Sequence, residues 1–219
     1  PVQTSFNLFK YFNINPSFNY QERWYFQKVD KEWDPVAKQV IDSDTTWGFY
    51  RLYNYSMSVS ASTKVYGTYQ FKKGAAIQAI RHMITPLVSF SYTPDFGKNG
   101  YGYYKQVQSD TMGRMMTYSP FANGLYGVPG SGPSMSLNFS VSQTLEMKVR
   151  DKKDTTGVRK IKLIDNLMIS SSYNFLADSL NLSPFSLSLR TNLFKNVGLN
   201  VTATLDPYQV DPVTGRRIN

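Results

Sequence analysis

The chain has 219 residues, enough for one large or two small domains; 15% are aromatic, 18% are charged and none is cysteine, which excludes a disulfide framework and thiolate metal sites but suits either redox compartment. A formal net charge of +9 points to an anionic partner (nucleic acid, a lipid surface or an acidic glycolipid) without choosing among them. No stretch approaches the roughly 18 apolar residues of a membrane helix, which excludes helical spanning and leaves a β-barrel open, because half of each barrel strand is polar. There is no initiator methionine and no signal peptide; the chain opens mid-pattern at PVQTSFNLF and stops at TGRRIN, and is read as a piece of a longer protein.

Helical signals are nearly absent; the best candidate, WDPVAKQVID at 33–42, is short and reads as a loop turn. Everything else alternates with period 2, as two-faced strands do. After a stub at 3–8, segment 11–27 sets Phe12, Ile14, Pro16, Phe18 and Tyr20 against Asn13, Asn15, Ser17 and Asn19. Segment 47–71 sets Tyr53, Tyr55, Met57 and Val59 against Asn54, Ser56, Ser58 and Ser60, and segment 76–93 sets Ile84, Pro86, Val88 and Phe90 against Thr85, Ser89 and Ser91. Segment 134–150 is the cleanest: every even position from Ser134 to Arg150 is polar, and every odd one except Gln143 is apolar. Segments near 160–174, 185–194 and 197–206 follow, with Phe185, Leu187, Leu189 and Leu193 opposing Ser186, Ser188, Arg190 and Asn192. That makes about eight strands; eight could close a small barrel, but the broken-off ends argue instead for an arc of a larger one.

A weak internal echo, LFKYFNINP at 8–16, QFKKGAAIQ at 70–78 and LFKNVGLNV at 193–201, marks tight hairpin turns. If neighbouring strands are antiparallel, turns at 9–11, 72–74, 151–157 and 195–196 fall at one end, and connections 28–46, 94–133, 175–184 and the tail after 206 fall at the other. Short turns at one end and long loops at the other are the arrangement of outer-membrane barrels. A soluble β-sandwich also alternates, but its strands average about 5–6 residues, whereas several runs here exceed 15. Aromatics also collect near strand ends (Trp24, Tyr25, Phe26, Trp47, Phe49, Tyr50, Tyr92, Tyr173, Phe194, Tyr208) like an interfacial girdle. The predicted fold is therefore all-β, part of a large antiparallel transmembrane β-barrel, with residues 1–219 a segment of one barrel domain and no separate soluble domain. The serine-rich face is predicted to line a wet lumen through Ser136, Asn138, Ser140, Ser142, Ser186, Ser188, Arg190 and Asn192.

The stretch RHMITPLVSFSYTPDFG at 81–97, with YGYYKQVQ at 101–108, resembles the LPS-assembly protein LptD of Bacteroidota. So do LEMKVRDKKDTTGVRKIKLID at 145–165, SYNFLADSLNLSPFSLSLRTNLF at 172–194 and LDPYQVDPVTGRRIN at 205–219, so the similarity covers nearly all of the chain. It consists of strands and loops and contains no catalytic motif. The resemblance implies an integral bacterial outer-membrane barrel that receives lipopolysaccharide (LPS) from periplasmic bridge proteins and inserts it into the outer leaflet. It also implies an LptE-like plug lipoprotein in the lumen and a lateral opening through which lipid A meets membrane lipid. Nothing here looks like the family's periplasmic jellyroll, so the chain would be an inner portion of the barrel. The disulfides of some members are impossible without cysteine.

Pro16, Pro86 and Pro184 sit in or at strands, where a residue without an N–H marks a start, an edge or a bulge. They read either as a weakened seam for lateral opening or, more plainly, as strand-start prolines at the membrane boundary. Lys148, Arg150, Lys152, Lys153, Arg159, Lys160 and Lys162 flank one short turn, either as contacts for LPS phosphates or acidic partner groups, or simply as a solvated tip. By alternation Arg190 faces the lumen, and Arg51 falls on the apolar face, near an interface or a register change. His82, the only histidine, has no Cys partner for a metal and no defensible triad spacing, and reads as structural. GLYGVPGSGP at 124–133 lacks the ending of a phosphate loop and reads as a flexible loop. Asp206 and Asp211 match no EF-hand spacing and suit turns before proline. Nucleic acid is not an expected partner, since no stacking module accompanies the basic residues.

The reading is thus a non-enzymatic component, without cofactor, of LPS translocation. The alternatives are another large outer-membrane barrel (a protein-secretion translocon or nutrient receptor) and a soluble β-sandwich adhesin or glycan-binding module.

Overall fold

The computed structural model describes residues 1–72, 75–151, 157–193 and 197–218. The strands are β1 (Val2–Gln3), β2 (Phe6–Leu8), β3 (Phe12–Asp34), β4 (Gln39–Ser62), β5 (Val65–Gln70), β6 (Ile77–Thr93), β7 (Lys105–Gln108), β8 (Met115–Tyr118), β9 (Ser134–Arg150), β10 (Val158–Asn174), β11 (Phe185–Leu193), β12 (Val197–Leu205), β13 (Gln209–Val210) and β14 (Arg217–Ile218). One sheet of ten strands has the order β1-β3-β4-β6-β9-β10-β11-β12, with β2 also on β3 and β5 also on β6. Interrupted pairs therefore share positions, and the sheet has the all-β, next-neighbour antiparallel order read from the alternation. Among the described residues no pairing closes it. β7–β8 and β13–β14 form two small separate sheets.

Two connections differ from their sequence reading. The stretch 28–46 is not a long loop: β3 runs on to Asp34 and β4 resumes at Gln39. Asp34 Oδ1 accepts the Val36 and Ala37 N–H groups at 2.7 and 3.0 Å and closes the turn between them. Alternation missed this extension because charged residues fill one face (Lys28, Asp30, Glu32) and Lys31 interrupts the other between Val29 and Trp33, which leaves too weak a hydrophobic period to detect. The stretch 94–133 is likewise no open loop, since it contains a 3₁₀ turn at Asn99–Tyr101 and the β7–β8 hairpin. Of the echoed turns, the first is a tight hairpin at Phe9–Lys10, with Tyr11 N–H donating to the Leu8 carbonyl at 3.2 Å. Lys73 and Gly74 of the second, residues 152–156 of the basic turn, and Phe194, Lys195 and Asn196 of the third lie outside the described residues.

The chain forms two compact units, Pro1–Val2 with Ser17–Met57 and Tyr92–Ser134, and Gln3–Pro16 with Ser58–Ser91 and Met135–Asn219. The first contains every buried apolar side chain among the described residues, including Tyr25, Leu52, Phe96, Tyr103, Val107, Tyr118 and Phe121. In the second, the buried described side chains are Ser171 and Thr191, both polar. Burying one large apolar side chain is worth about 1.5–3 kcal/mol. A sandwich accumulates that gain across two inner faces, whereas among the described residues of the second unit no apolar side chain is fully buried. Its apolar strand face is not packed under a protein layer among the described residues.

Phe9 and Lys10 hold φ values of 51° and 66°, a left-handed backbone costing a non-glycine residue about 1–2 kcal/mol. Lys10→Gly should therefore stabilise this hairpin by roughly 0.5–1 kcal/mol net of the entropy glycine loses. Urea unfolding in detergent micelles measures it, and a loss of stability would refute the left-handed turn.

Candidate functional site

Registered pairing shows which side chains share a face, because residues directly opposite across a ladder project the same way. Ser136, Asn138, Ser140 and Ser142 of β9 lie opposite Asn174, Ser172, Ser170 and Met168 of β10. Asn166, Met168 and Ser170 then lie opposite Arg190, Ser188 and Ser186 of β11. Ser186, Ser188, Arg190 and Asn192 lie opposite Thr204, Thr202, Asn200 and Gly198 of β12. All eight sequence-selected residues thus occupy one face, joined into a polar field interrupted by Met168. Several bond sideways: Ser136 Oγ with Ser91 Oγ at 2.9 Å, Ser142 Oγ to Asn166 Oδ1 at 2.6 Å, and Asn192 Nδ2 to Asp165 Oδ2 at 2.6 Å.

The opposite face carries Val141, Ile169, Leu187 and Ala203 in one row and Gln143, Leu167, Leu189 and Val201 in the next. Gln143, the one polar residue of its row, meets His82 Nε2 at 3.1 Å, so the lone histidine and the one break in the β9 alternation satisfy each other. Ser171 and Thr191 also lie on this face and serve the ladder. Ser171 Oγ donates to the Ser183 carbonyl at 2.6 Å, and Thr191 Oγ1 donates to the Leu163 carbonyl at 2.7 Å, inside the register shift of β10.

The three prolines stand at interruptions. The Pro16 carbonyl takes the Thr4 N–H at 3.3 Å, opposite the gap between β1 and β2. The Pro86 carbonyl takes the Thr63 N–H, also at 3.3 Å, opposite the gap between β4 and β5. Each proline lacks the N–H that would complete a reciprocal pair, so the facing strand breaks there. Pro184 directly precedes β11; beside it Ser183 N–H donates to the Ser172 carbonyl at 2.7 Å and Ser172 Oγ meets Ser183 Oγ at 2.8 Å.

Sequence reasoning missed the packed core of the first unit. On the β3–β4 hairpin, Trp24 and Phe26 each contact Phe49 on one face, with Tyr20 against Tyr53 further along it. On that face Arg51 Nε reaches Glu22 Oε1 at 3.4 Å and Glu22 accepts the Tyr20 hydroxyl and Trp24 indole, so the arginine assigned to the apolar face is paired within an aromatic belt. The other face carries Tyr25 and Leu52, and segment 94–133 folds over it. Phe121 packs on Tyr25 and Tyr50, with centroids 5.6 and 5.5 Å away, and the Tyr25 hydroxyl donates to the Gly127 carbonyl at 2.7 Å. Tyr25, only 7% exposed, is thus a core residue and not part of a girdle. The stretch 124–133 is tied down, with Tyr104 bonded to the Pro129 carbonyl and Asp95 to the Gly132 amide. The signal for this core was present as the density of Tyr, Phe and Pro between 94 and 129.

The same segment supplies backbone partners to both strands. The buried Tyr103 hydroxyl accepts the Tyr53 N–H at 2.8 Å and donates to the Tyr53 carbonyl at 3.2 Å, occupying a strand edge beyond the reach of β6, which ends at Thr93. Burial pushes the Tyr103 pKa up, which keeps that proton in place. Val29 N–H donates to the Pro120 carbonyl at 2.9 Å, and Lys31 N–H to the Tyr118 hydroxyl at 3.0 Å. Lys105 Nζ clamps Asp30 Oδ1 at 2.6 Å, and that hydrogen bond holds the Asp30 carboxyl below its ordinary value.

In the tail, Asp206 binds Arg217 at 2.7 Å, and Asp211 accepts the Val213 amide and Thr214 hydroxyl, so both act as turn and ion-pair residues. Among the described residues no group of His, Asp and Glu is arranged to hold a metal, and no helix is long and apolar enough to cross a membrane, which says nothing of strands.

Long antiparallel strands, polar on one face and uncovered and apolar on the other, define an all-β protein of the outer-membrane barrel type. The chain belongs to the LptD protein family, whose model matches residues 1–208. Its role therefore lies in LPS transport and assembly at the outer membrane, work of transport rather than of catalysis. No curated protein and no solved structure matches it.

Removing the hydroxyl in Tyr103→Phe leaves the Tyr53 amide and carbonyl without their partner, at a cost of about 1–3 kcal/mol. A Cβ at Gly124 runs into the Tyr25 ring, so Gly124→Ala should loosen the same segment. Both should raise amide exchange and protease cleavage across 94–133 and leave β9–β12 unchanged; unaltered protection would exclude the packing described. Because the native Asp30 carboxyl sits below the ordinary value of 3.8, the native state binds fewer protons there and its clamp is stabilising above that value. Its contribution fades as the pH falls through the depressed value. Protection of 94–133, corrected for intrinsic exchange, should drop on acidification in the parent and change less in Asp30→Asn.

Proposed function

We propose that the chain is an inner portion of one outer-membrane barrel domain, and that this barrel passes LPS through the membrane and inserts it into the outer leaflet. The observation that supports this reading is the pairing of two unlike faces within a chain of this family. One face is a hydroxyl- and amide-rich field from Ser136 to Thr204, and the other is apolar with no layer of described residues over it. Sugars are hydrogen-bonding and water-loving, and acyl chains are neither. A lumen lined by Ser136, Asn138, Ser140, Ser142, Ser186, Ser188, Arg190 and Asn192 offers the saccharide a wet path, while the acyl chains leave sideways into lipid.

Sideways release needs a seam. Pairing in a bilayer is held by backbone hydrogen bonds that water cannot replace, so a seam opens most easily where pairs are already missing. Pro16, Pro86 and Pro184 stand where the ladders are interrupted, which makes them candidates for weakened strand contacts. The aromatic belt of Trp24, Phe26, Phe49 and Tyr53 suits a membrane boundary, with the charged end of the β3–β4 hairpin and segment 94–133 beyond it as a braced surface structure. The work of transport comes from upstream machinery, delivered through periplasmic bridge proteins, and an LptE-like plug lipoprotein fills the lumen. The chain itself carries out no chemical step and uses no cofactor.

Depleting the full-length parent in its native cell should lower surface LPS and cause it to accumulate in inner compartments; unchanged surface LPS with failed uptake or secretion would transfer the function to another class of barrel. The chain has no cysteine, so in a parent with any cysteines elsewhere replaced, single substitutions report on the faces directly. Ser140→Cys and Ser188→Cys should react with a membrane-impermeant maleimide in intact outer membranes, and Val141→Cys and Leu187→Cys should not. Equal labelling of both sets would remove the lumen assignment.

A further inference from the structure

We propose that the second unit carries a binding site for a phosphoryl group on a saccharide headgroup, at the short-turn end of β5, β6, β9 and β10. A cavity of about 740 Å³ opens there, lined by Tyr66, Lys72, Arg81, Glu146, Lys148 and Lys160 among others. Lys148 and Lys160 are directly opposite each other across the β9–β10 ladder, so their side chains project from one face. Like charges in that relation destabilise a sheet. Glu146, the only carboxylate lining the cavity, is outnumbered by the cations around it and ion-pairs with none of them among the described residues.

The contrast with neighbouring cations is informative. Arg159 reaches Asp151 and Lys162 reaches Asp165, each at 3.9 Å. Among the described residues, Lys72, Arg81, Lys148 and Lys160 have no acid partner. Arg81 lies over the Tyr66 ring, 4.7 Å from its centroid, which holds the guanidinium at the cavity wall. An arginine fixed in place, a facing lysine pair and an aromatic wall suit a multiply charged phosphate on a sugar: the guanidinium forks to its oxygens and the ring takes the sugar's apolar face. A solvated tip would need neither the cavity nor the opposed lysines. The site deepens the proposed function and rests on it only for the source of the phosphate.

The test uses the full-length parent in nanodiscs and calorimetry with four probes. These are the diphosphorylated disaccharide left after deacylating LPS and removing its outer sugars, the same sugar after phosphatase, glycerol phosphate and inorganic phosphate. The diphosphorylated disaccharide should bind most tightly and lose affinity steeply with salt. In K148Q/K160Q its affinity should fall about tenfold or more, whereas Arg159→Gln, outside the cavity, should leave it nearly unchanged. Lys148→Gln alone relieves the repulsion and should fold at least as stably as the parent, so weaker binding in that variant is not a folding defect. Equal weakening by Arg159→Gln, or equal binding of the dephosphorylated sugar, overturns the site. Equal binding of inorganic or glycerol phosphate overturns the saccharide assignment. Failed binding with surface LPS still dependent on the parent removes the site and leaves the function; intact binding with surface LPS independent of the parent supports the site and removes the function.

Discussion

A strand's backbone amides and carbonyls must be paired wherever water is scarce, and most of the structure follows from that requirement. A sheet facing lipid has no solvent to satisfy an open edge or a broken pair. Neighbouring strands accordingly run antiparallel in next-neighbour order, and places where the ladder fails receive individual repairs. Thr191 caps the Leu163 carbonyl at the β10 shift, Ser171 caps the Ser183 carbonyl beside Pro184, and the Tyr103 hydroxyl serves both backbone groups of Tyr53. The two side chains buried among the described residues of the second unit, Ser171 and Thr191, are polar because they supply hydrogen bonds where the ladder lacks them.

The two units solve different problems. In the second, alternation separates a polar face from an apolar one and leaves the latter without a protein partner. In the first, the hairpin ends in charged residues, and its inner face is covered by a folded segment with its own aromatic core. A long two-stranded ribbon is marginal in water. Segment 94–133 stabilises it through Phe121 and Tyr25 and through strand-edge hydrogen bonds. Two kinds of stabilisation thus occur in one chain: strand-to-strand hydrogen bonding in the second unit and aromatic packing in the first.

Much of the fold was legible because strand alternation is a local property. Ser136 to Ser142 and Ser186 to Asn192 share a face whenever their strands pair in register, and the period 2 of each run predicted this. The end of β3, Lys28 to Asp34, was not legible, since Lys31 breaks the apolar face of Val29 and Trp33 and leaves only a weak period. Tyr25 and Tyr50 were read as girdle aromatics from their position near strand ends; only the fold of 94–133 shows them under Phe121. Nothing near His82 in the sequence points to Gln143, because their meeting depends on the register of β6 against β9.

By itself the sequence determined the class of the protein: an all-β chain with one polar and one apolar strand face, no cysteine and an excess of positive charge. Those follow from composition and from the alternation every strand imposes on neighbouring side chains. The tertiary structure decided which cations stay unpaired, where prolines break a ladder, and that a loop between β6 and β9 is a packed body. Each of these depends on residues far apart in the chain, such as Lys105 with Asp30 or Arg81 near Glu146, and such distances are set by strand register and chain reversal rather than by local pattern.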